Sequence, residues 1–142
     1  MLEKAIAIAV KAHAGQTDKA GMPYILHPLR VMMKMASVTE MIVAVLHDVV
    51  EDSDWTIEQL RAEGFAEDVL QALDLLTKRS GEVYEAFIQR VKALPISVAV
   101  KLGDLEDNMD TKRLRCVTEE DKVRLEKYRR AWSELGGARP IE

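Results

Sequence analysis

Cysteine is almost absent from this sequence: Cys116 is the only one among 142 residues. A single cysteine excludes an internal disulfide and a cysteine-rich zinc site. Glycine and proline number only 7 and 4, which favours long helices joined by few turns. Aromatic residues make up 5% of the chain, so the core must consist mainly of aliphatic side chains and methionine.

The sequence also lacks an apolar run long enough to span a bilayer and a signal-peptide core near its start. We therefore expect no membrane partner and a cytoplasmic location. The formal net charge of −4 argues against a general nucleic-acid-binding protein. With 48% hydrophobic and 31% charged residues, the composition is typical of a folded chain, and the length predicts one domain over residues 1–142.

Helical periodicity dominates the chain and alternating strand patterns are nearly absent, so we predict an all-α fold. A loop that contains glycine and proline, Gly15–Pro28, separates the first two helices. The predicted helices are Leu2–His13, Leu29–Ala36, Thr39–Glu51, a short helix that follows the N-cap Thr56 and ends at Gly64, Ala66–Thr77, Val83–Leu94, Ile96–Thr111 and Thr118–Leu135.

His47 and Asp48 interrupt an otherwise apolar stretch, Met41–Val50. A buried imidazole and carboxylate cost several kcal/mol unless each finds a partner. Glu51 and Asp52 follow on the same helical face, at a predicted helix C-terminus where the macrodipole disfavours negative charge. Two local preferences are violated at one place, which is typical of a functional site. The alternative is a hydrogen-bonded core histidine beside a solvated helix end.

A second polar group lies on the predicted helix Ile96–Thr111. Lys101, Asp104, Asn108 and Thr111 fall in one stripe beside an apolar face. This stripe either faces a cavity or is the solvated side of an ordinary amphipathic helix.

The loop after the first helix carries two further candidates. His27 precedes Pro28, which favours an extended backbone and suits the histidine to be a ligand. Lys19 lies among glycines, where a backbone can approach a phosphate closely. We expect His13, in contrast, to be an exposed residue that caps the end of its helix. Together these regions supply nitrogen and oxygen ligands that suit Mn²⁺, Fe²⁺ or Zn²⁺: His27, His47, Asp48 and Asp104.

Four strings in this order resemble the hydrolase domain of RelA/SpoT-type alarmone enzymes, which is part of the HD metal-phosphohydrolase superfamily. They are His13-x-Gly15-Gln16, Pro23-Tyr24-Ile25-Leu26-His27-Pro28-Leu29, Leu46-His47-Asp48-Val49-Val50-Glu51-Asp52 and Lys101-Leu102-x-Asp104-x-x-x-Asn108-Met109-x-Thr111. The similarity runs from about His13 to Thr111 and more weakly through Arg124 and Tyr128. It implies a single-domain HD-type helical bundle and a stand-alone small alarmone hydrolase.

The resemblance implies a role for each matching position. One metal ion, usually Mn²⁺, would be held by His27, His47, Asp48 and Asp104. The attacking water would be activated or oriented by Glu51 and Asp52, with the choice of base left open. The substrate would be contacted by Lys19, Asn108, Thr111, Arg124 and Tyr128.

Two departures from the family pattern concern charge. Asp18 stands where bifunctional enzymes usually have an arginine, and Leu105-Glu106-Asp107 stands where they usually have Arg-Leu-His. A carboxylate in place of a cation is expected to weaken the attraction of phosphate at these places.

The implied activity is metal-dependent hydrolysis of the 3′-pyrophosphate of (p)ppGpp, the alarmone of the stringent response, to GDP or GTP and pyrophosphate. The expected partner is this small nucleotide, with no nucleic acid, and the expected assembly is a monomer or homodimer. Two alternatives remain open at this point. One is a phosphohydrolase for another nucleotide, such as the 2′-phosphate of NADPH, and the other is a non-catalytic alarmone-binding domain.

Overall fold

The computed structural model describes residues 1–137, so residues 138–142 of the predicted domain lie outside the described part. Nine helices and no strand occur within residues 1–137, which confirms the predicted all-α fold. The helices are α1 (Leu2–Ala12), α2 (Leu26–Met33), α3 (Val38–Leu46), α4 (Val49–Asp52), α5 (Ile57–Ala62), α6 (Glu67–Leu76), α7 (Tyr84–Val91), α8 (Pro95–Met109) and α9 (Glu119–Glu134). None of them is long and apolar enough to cross a membrane.

Helix α3 lies at the centre of the fold and packs against α1, α2, α6 and α8. Its residues from Ile42 to Leu46 are all buried because helices surround it on several sides. Full burial of a large aliphatic side chain contributes about 1.5–3 kcal/mol, so α3 is a rigid frame for the residues that follow it. The buried core is largely aliphatic, with Phe65 and Phe87 as its aromatic members among the described residues.

Two helices begin at a threonine that forms a capping box. The Thr56 hydroxyl accepts a hydrogen bond from the Gln59 N–H at 3.1 Å, and the Gln59 side chain accepts one from the Thr56 N–H at 3.0 Å. Thr118 and Asp121 form the same arrangement at the start of α9. The predicted cap at Thr56 is therefore confirmed, since the side chain satisfies an N–H group that has no partner within the helix.

The prediction of one continuous helix over Thr39–Glu51 is wrong. Helix α3 ends at Leu46, and the short helix α4 begins at Val49. The His47 ring bonds through Nδ1 to the Ala44 carbonyl oxygen at 2.5 Å, and this carbonyl lies in the last turn of α3. The two carboxylates that follow, at positions 51 and 52, consequently lie in a separate one-turn helix rather than at the end of a long one, so the predicted conflict with the macrodipole of a long helix is removed.

The predicted start of α2 at Leu29 is wrong by almost one turn. The helix begins at Leu26, so His27 lies in its first turn and is buried. Pro28 is tolerated there because the first N–H groups of a helix have no intrahelical partner. A helical His27 is held more rigidly than the loop residue that the sequence predicts.

A glycine allows α8 to approach α2 closely. A Cβ atom at Gly103 would lie 2.8 Å from Met35 Cε and 3.2 Å from Val31 Cγ1. These distances are shorter than ordinary van der Waals contacts, so a larger residue would force the neighbours to shift. The close approach places Asp104, the next residue of α8, beside His27 on α2.

Candidate active site

Four side chains converge from α2, α8 and the junction between α3 and α4. His27 Nε2 lies 2.9 Å from Asp104 Oδ1 and 3.6 Å from Asp48 Oδ2. His47 Nε2 lies 3.3 Å and 3.1 Å from the same two oxygens. One ligand atom of each residue falls within 4.8 Å of all the others. The four residues that the sequence proposes as ligands therefore form one group, named here the metal group, that could hold a divalent ion.

The second nitrogen of each histidine is already bonded. His27 Nδ1 lies 2.6 Å from Asp107 Oδ2, and His47 Nδ1 lies 2.5 Å from the Ala44 carbonyl oxygen. Because both partners are acceptors, we assign the hydrogen of each neutral ring to Nδ1, which leaves the lone pair on Nε2. Each Nε2 faces carboxylate oxygens, and either a proton on the ring or a cation between ring and carboxylates satisfies both groups. Two imidazoles and two carboxylates fit a divalent ion such as Mn²⁺, Fe²⁺ or Zn²⁺.

The electrostatics of the metal group favour bound positive charge. Burial lowers the pKa of both His27 and His47, but the neighbouring carboxylates outweigh burial and raise both pKa values. Burial raises the pKa of Asp48, yet the charge and hydrogen bond of His47 lower that pKa to about 2. Burial likewise opposes ionisation of Asp104, but Lys101 holds the pKa of Asp104 well below its usual range. The carboxylates therefore stay anionic, as cation ligands must.

Further side chains orient the two carboxylates. Tyr24 Oη donates a hydrogen bond to Asp48 Oδ2 at 2.6 Å. Lys101 Nζ donates to Asp104 Oδ2 at 2.7 Å, and Asn108 Nδ2 donates to Asp104 Oδ1 at 3.0 Å. Two residues of the polar stripe on α8, Lys101 and Asn108, thus bond to the carboxylate of a third, Asp104. Sequence reasoning gave no role to Tyr24, although this tyrosine lies inside one of the four matching strings.

Glu51 and Asp52 lie on α4, just beyond Asp48. A Glu51 carboxylate oxygen accepts the Lys78 N–H, and the Asp52 carbonyl oxygen accepts from Gln16 Nε2 at 2.9 Å. Burial and then the charge of Asp48 raise the pKa of Asp52. Burial also raises the pKa of Glu51, although the Lys78 N–H lowers it. Both carboxylates are close enough to the metal group to feel its charge, while neither is one of its four members.

A cavity of about 400 Å³ adjoins the metal group. This volume lies within the range of about 300–1,000 Å³ that is usual for small-molecule sites. None of the four members of the metal group lines the cavity, but Tyr24 and Asn108 line it and also bond to Asp48 and Asp104, so these two residues connect the two regions. The structure brings all five residues with proposed substrate contacts to the wall of this cavity: Lys19, Asn108, Thr111, Arg124 and Tyr128.

Three cations line the cavity wall, and sequence reasoning missed one of them. The missed residue is Arg113, which lies in the connection between α8 and α9 and has no counterpart in the matching strings. Burial and then the charge of Arg124 lower the pKa of Lys19, so these two cations are near each other. Arg124 also donates to Asp121 Oδ1 at 2.5 Å, which fixes its position on the first turns of α9.

His13 is the C-cap residue of α1, as expected, but the expectation that it is exposed is wrong. The residue is only 2% exposed, and its ring packs against that of Tyr24 with centroids 5.1 Å apart. His13 Nδ1 lies 2.8 Å from Gln16 Oε1. The reason is that the loop after α1 folds back, with the Tyr24 N–H donating to the Gln16 carbonyl oxygen at 2.9 Å, and covers the ring.

Asp107 is not among the residues that line the cavity, although Arg113, which does, lies 3.7 Å from its Oδ2, so the expected effect of Asp107 on phosphate stays a prediction. Its side chain is buried, and Arg30 pairs with it at 2.7 Å. Asp18 does line the cavity, but one of its oxygens accepts the N–H groups of Ala20 and Met22 at 2.9 and 3.0 Å. This carboxylate organises the loop, as aspartate commonly does in turns.

Comparisons with known proteins agree with the resemblance that the sequence motifs indicate. No family model matches the chain. A guanosine-3′,5′-bis(diphosphate) 3′-pyrophosphohydrolase of Aquifex aeolicus is 34% identical over 122 residues, which cover 78% of this chain and 17% of that protein. The bifunctional (p)ppGpp synthase/hydrolase SpoT of Escherichia coli is 36% identical over 124 residues, covering 78% and 18%. A GTP pyrophosphokinase of Streptomyces coelicolor is 33% identical over 139 residues, covering 87% and 16%.

The chain therefore spans less than a fifth of the length of these curated relatives. A solved structure described as a metazoan ortholog of SpoT that hydrolyzes ppGpp shares the fold, with a TM-score of 0.81 at 20% identity. The match covers 98% of this chain and 87% of the other. The fold is that of an HD-type helical domain. The resemblance to RelA/SpoT-type enzymes, predicted from the four strings, is confirmed.

Proposed function

We propose that this chain hydrolyses the 3′-pyrophosphate of (p)ppGpp to GDP or GTP and pyrophosphate, using Mn²⁺ held by the metal group. One observation carries the proposal: Tyr24 and Asn108 connect the metal group to a neighbouring cavity that bears three cations. Similar proteins named for this activity support it. A nucleotide with two diphosphates carries several negative charges. Because the chain is net negative, those charges must be balanced by locally placed cations rather than by the overall field.

The Mn²⁺ ion, when bound, would supply a water of lowered pKa and polarise a phosphoryl oxygen. Glu51 and Asp52 lie beside the metal group, and their raised pKa values bring them closer to neutral pH, where a general base works best. Glu51 is bonded to the Lys78 N–H, whereas no described residue donates a hydrogen bond to the Asp52 carboxylate. We therefore assign proton removal to Asp52 and orientation of the water to Glu51.

The cavity wall would hold the rest of the nucleotide. Lys19, Arg113 and Arg124 provide charge-assisted hydrogen bonds to the phosphates. Tyr128 is half-buried in the same wall and offers an aromatic face and a hydroxyl to the base or sugar. Asn108 keeps its amide oxygen available while its Nδ2 bonds Asp104.

A substrate screen tests this function directly. Purified protein with Mn²⁺ is incubated separately with ppGpp, NADPH and GTP, and the products are separated by anion exchange. We expect GDP and pyrophosphate in equal amounts from ppGpp alone. Phosphate release from NADPH without turnover of ppGpp would point to the other nucleotide, and tight ppGpp binding with bound metal and no product would indicate a binding domain.

We also propose one domain over residues 1–142, a cytoplasmic location and a monomer or homodimer. Helix α3 supports the first point, since it joins α1, α2, α6 and α8 in one core. Limited proteolysis should release no smaller stable fragment. Light scattering after size exclusion measures the assembly, and a trimer or larger species would contradict it.

A further inference from the structure

Asp107 takes no part in the proposed reaction, yet it is one of the most enclosed carboxylates in the described chain. Its residue is 3% exposed. Arg30 donates to both of its oxygens, from Nε to Oδ1 at 2.7 Å and from Nη2 to Oδ2 at 3.0 Å. A buried carboxylate is costly unless it is paired and hydrogen-bonded. The remaining side-chain hydrogen bond goes to one histidine, His27, whose Nδ1 lies 2.6 Å from Asp107 Oδ2, while Arg113 Nη2 lies farther from this oxygen, at 3.7 Å.

The three residues form a bridge between two helices. His27 and Arg30 lie about one turn apart on α2, and Asp107 lies about one turn after Asp104 on α8. Two carboxylates on successive turns of α8 therefore contact the two ring nitrogens of His27. Asp104 Oδ1 lies 2.9 Å from Nε2, and Asp107 Oδ2 lies on the Nδ1 side. The ring is fixed from both ends.

We propose that Asp107 is a positioning residue for the metal site. It keeps the hydrogen of His27 on Nδ1 and turns the Nε2 lone pair to the metal group, while Arg30 holds the carboxylate in place. This inference deepens the proposed function and rests on it, because it requires His27 to be a ligand. A carboxylate behind a ligating histidine orients the ring and raises its basicity, and losing such a partner costs roughly 10–100-fold in metal affinity.

The two histidines of the metal group differ in this respect. His47 bonds a backbone carbonyl, that of Ala44, which no substitution of a side chain removes. His27 depends on a side chain 80 residues away in the sequence. Of the two histidines, His27 is therefore the one whose orientation a single side-chain substitution can release without removing a ligand.

Two substitutions and a matched control test the proposal. Asp107→Leu removes the acceptor, and Asp107→Asn keeps the shape but removes the charge. Glu106→Gln is the control, since Glu106 is exposed, pairs with Lys34 at 3.1 Å and does not contact His27. Mn²⁺ affinity is measured on metal-stripped protein from the electron paramagnetic resonance signal of free Mn²⁺. Circular dichroism and thermal unfolding of the metal-free variants identify any loss of fold.

We expect the Mn²⁺ Kd to rise roughly tenfold in Asp107→Asn and roughly 100-fold in Asp107→Leu, with less than a twofold change in Glu106→Gln. In hydrolysis assays, Asp107→Asn should need more Mn²⁺ for half-maximal turnover and recover most of its kcat at saturating Mn²⁺. If Asp107→Leu does not fold, Asp107→Asn alone decides. Wild-type affinity in Asp107→Asn overturns the inference and leaves the proposed function intact, whereas a wild-type protein that binds no Mn²⁺ overturns the proposed function itself.

Discussion

The metal group and the cavity wall are built by different means. The metal group comes from helices of the core, and its side chains are at most 17% exposed. The wall comes mainly from the connections at 13–25 and 110–118 and from α9, and the side chains of Arg113 and Arg124 are 31% and 29% exposed. The difference indicates that ligand geometry is fixed by folding, whereas the substrate wall can change without disturbing the fold.

The largest expected effect is that of Asp104→Ala in the metal group. This change removes a ligand and also leaves the buried Lys101 without its partner, a loss that typically costs about 3–5 kcal/mol of stability. We expect no retained metal and no measurable turnover, as checked by elemental analysis and the ppGpp assay. Asp110→Ala, at a carboxylate of the cavity wall, is the control and should keep the metal. Full metal occupancy in Asp104→Ala would show that the site is wrongly assigned.

The next effect concerns the two carboxylates beside the metal group. Glu51→Gln and Asp52→Asn should keep the ion and lower kcat about 10²–10⁴-fold, because each removes an acid–base group without removing a ligand. Glu51→Gln retains an oxygen for the Lys78 N–H, so its fold should be unchanged. Metal analysis and steady-state kinetics on the same samples make the measurement. Unchanged turnover in both variants would exclude this role.

The pH dependence of wild-type turnover sharpens the same point. A general base acts when deprotonated, so kcat should fall as the pH drops through its pKa. Burial is the largest cause that raises the pKa of Asp52, and it persists when a bound ion offsets the charge of Asp48, so this fall should begin at a higher pH than for an ordinary aspartate. The pH profile of kcat at saturating substrate measures it. This fall of kcat at low pH should disappear in Asp52→Asn. If it persists in that variant, another group is responsible for it.

A smaller effect is expected at the cavity wall. Lys19→Ala and Arg124→Ala should each raise KM for ppGpp by about 10–100-fold, since a hydrogen bond to a charged group contributes about 1.5–3 kcal/mol. Thermal stability should hardly change, because Lys19 is exposed and Arg124 is only partly covered. Arg129→Ala, an exposed α9 residue outside the cavity wall, is the matched control. Equal KM values for all three variants and the wild type would contradict the substrate wall.

The smallest effect is expected at an ion pair outside both the metal group and the cavity wall. Arg90 holds the Glu82 carboxylate at 2.7 Å, and its hydrogen bonds lower the pKa of Glu82 from 4.5 to about 2. A depressed carboxylate pKa contributes stability above its unfolded value, and that stability is lost as the pH falls through the folded value. Glu82→Gln should therefore be less stable than the wild type near neutral pH, with the difference shrinking between pH 4.5 and about 2. Denaturant unfolding at several pH values tests this, while KM should stay unchanged.

Local patterns predicted most of the helices, because periodicity and cap residues act within a few positions, and they pointed to the four residues of the metal group. They failed where a distant residue decides the structure. The partners of His27 and Arg30 on α8 lie 80 and 77 residues away, so no local spacing could predict Asp107 as their common acceptor. The helix break after Leu46 was missed for a different reason: the contact between the His47 ring and the Ala44 carbonyl oxygen is local, but residue spacing does not show that a ring will bond to the backbone.

The same break turns two neighbouring residues into one chelating unit. In a continuous helix, successive side chains point about 100° apart and do not meet. At the junction of α3 and α4, however, His47 Nε2 and Asp48 Oδ2 lie 3.1 Å apart. Once an ion binds to either His47 or Asp48, the other side chain is already close to it, so the second bond forms at high effective concentration. A bound ion would stabilise the bent backbone by mass action, about 2.7 kcal/mol at a hundredfold excess over Kd, and straightening the bend would release both ligands in one step.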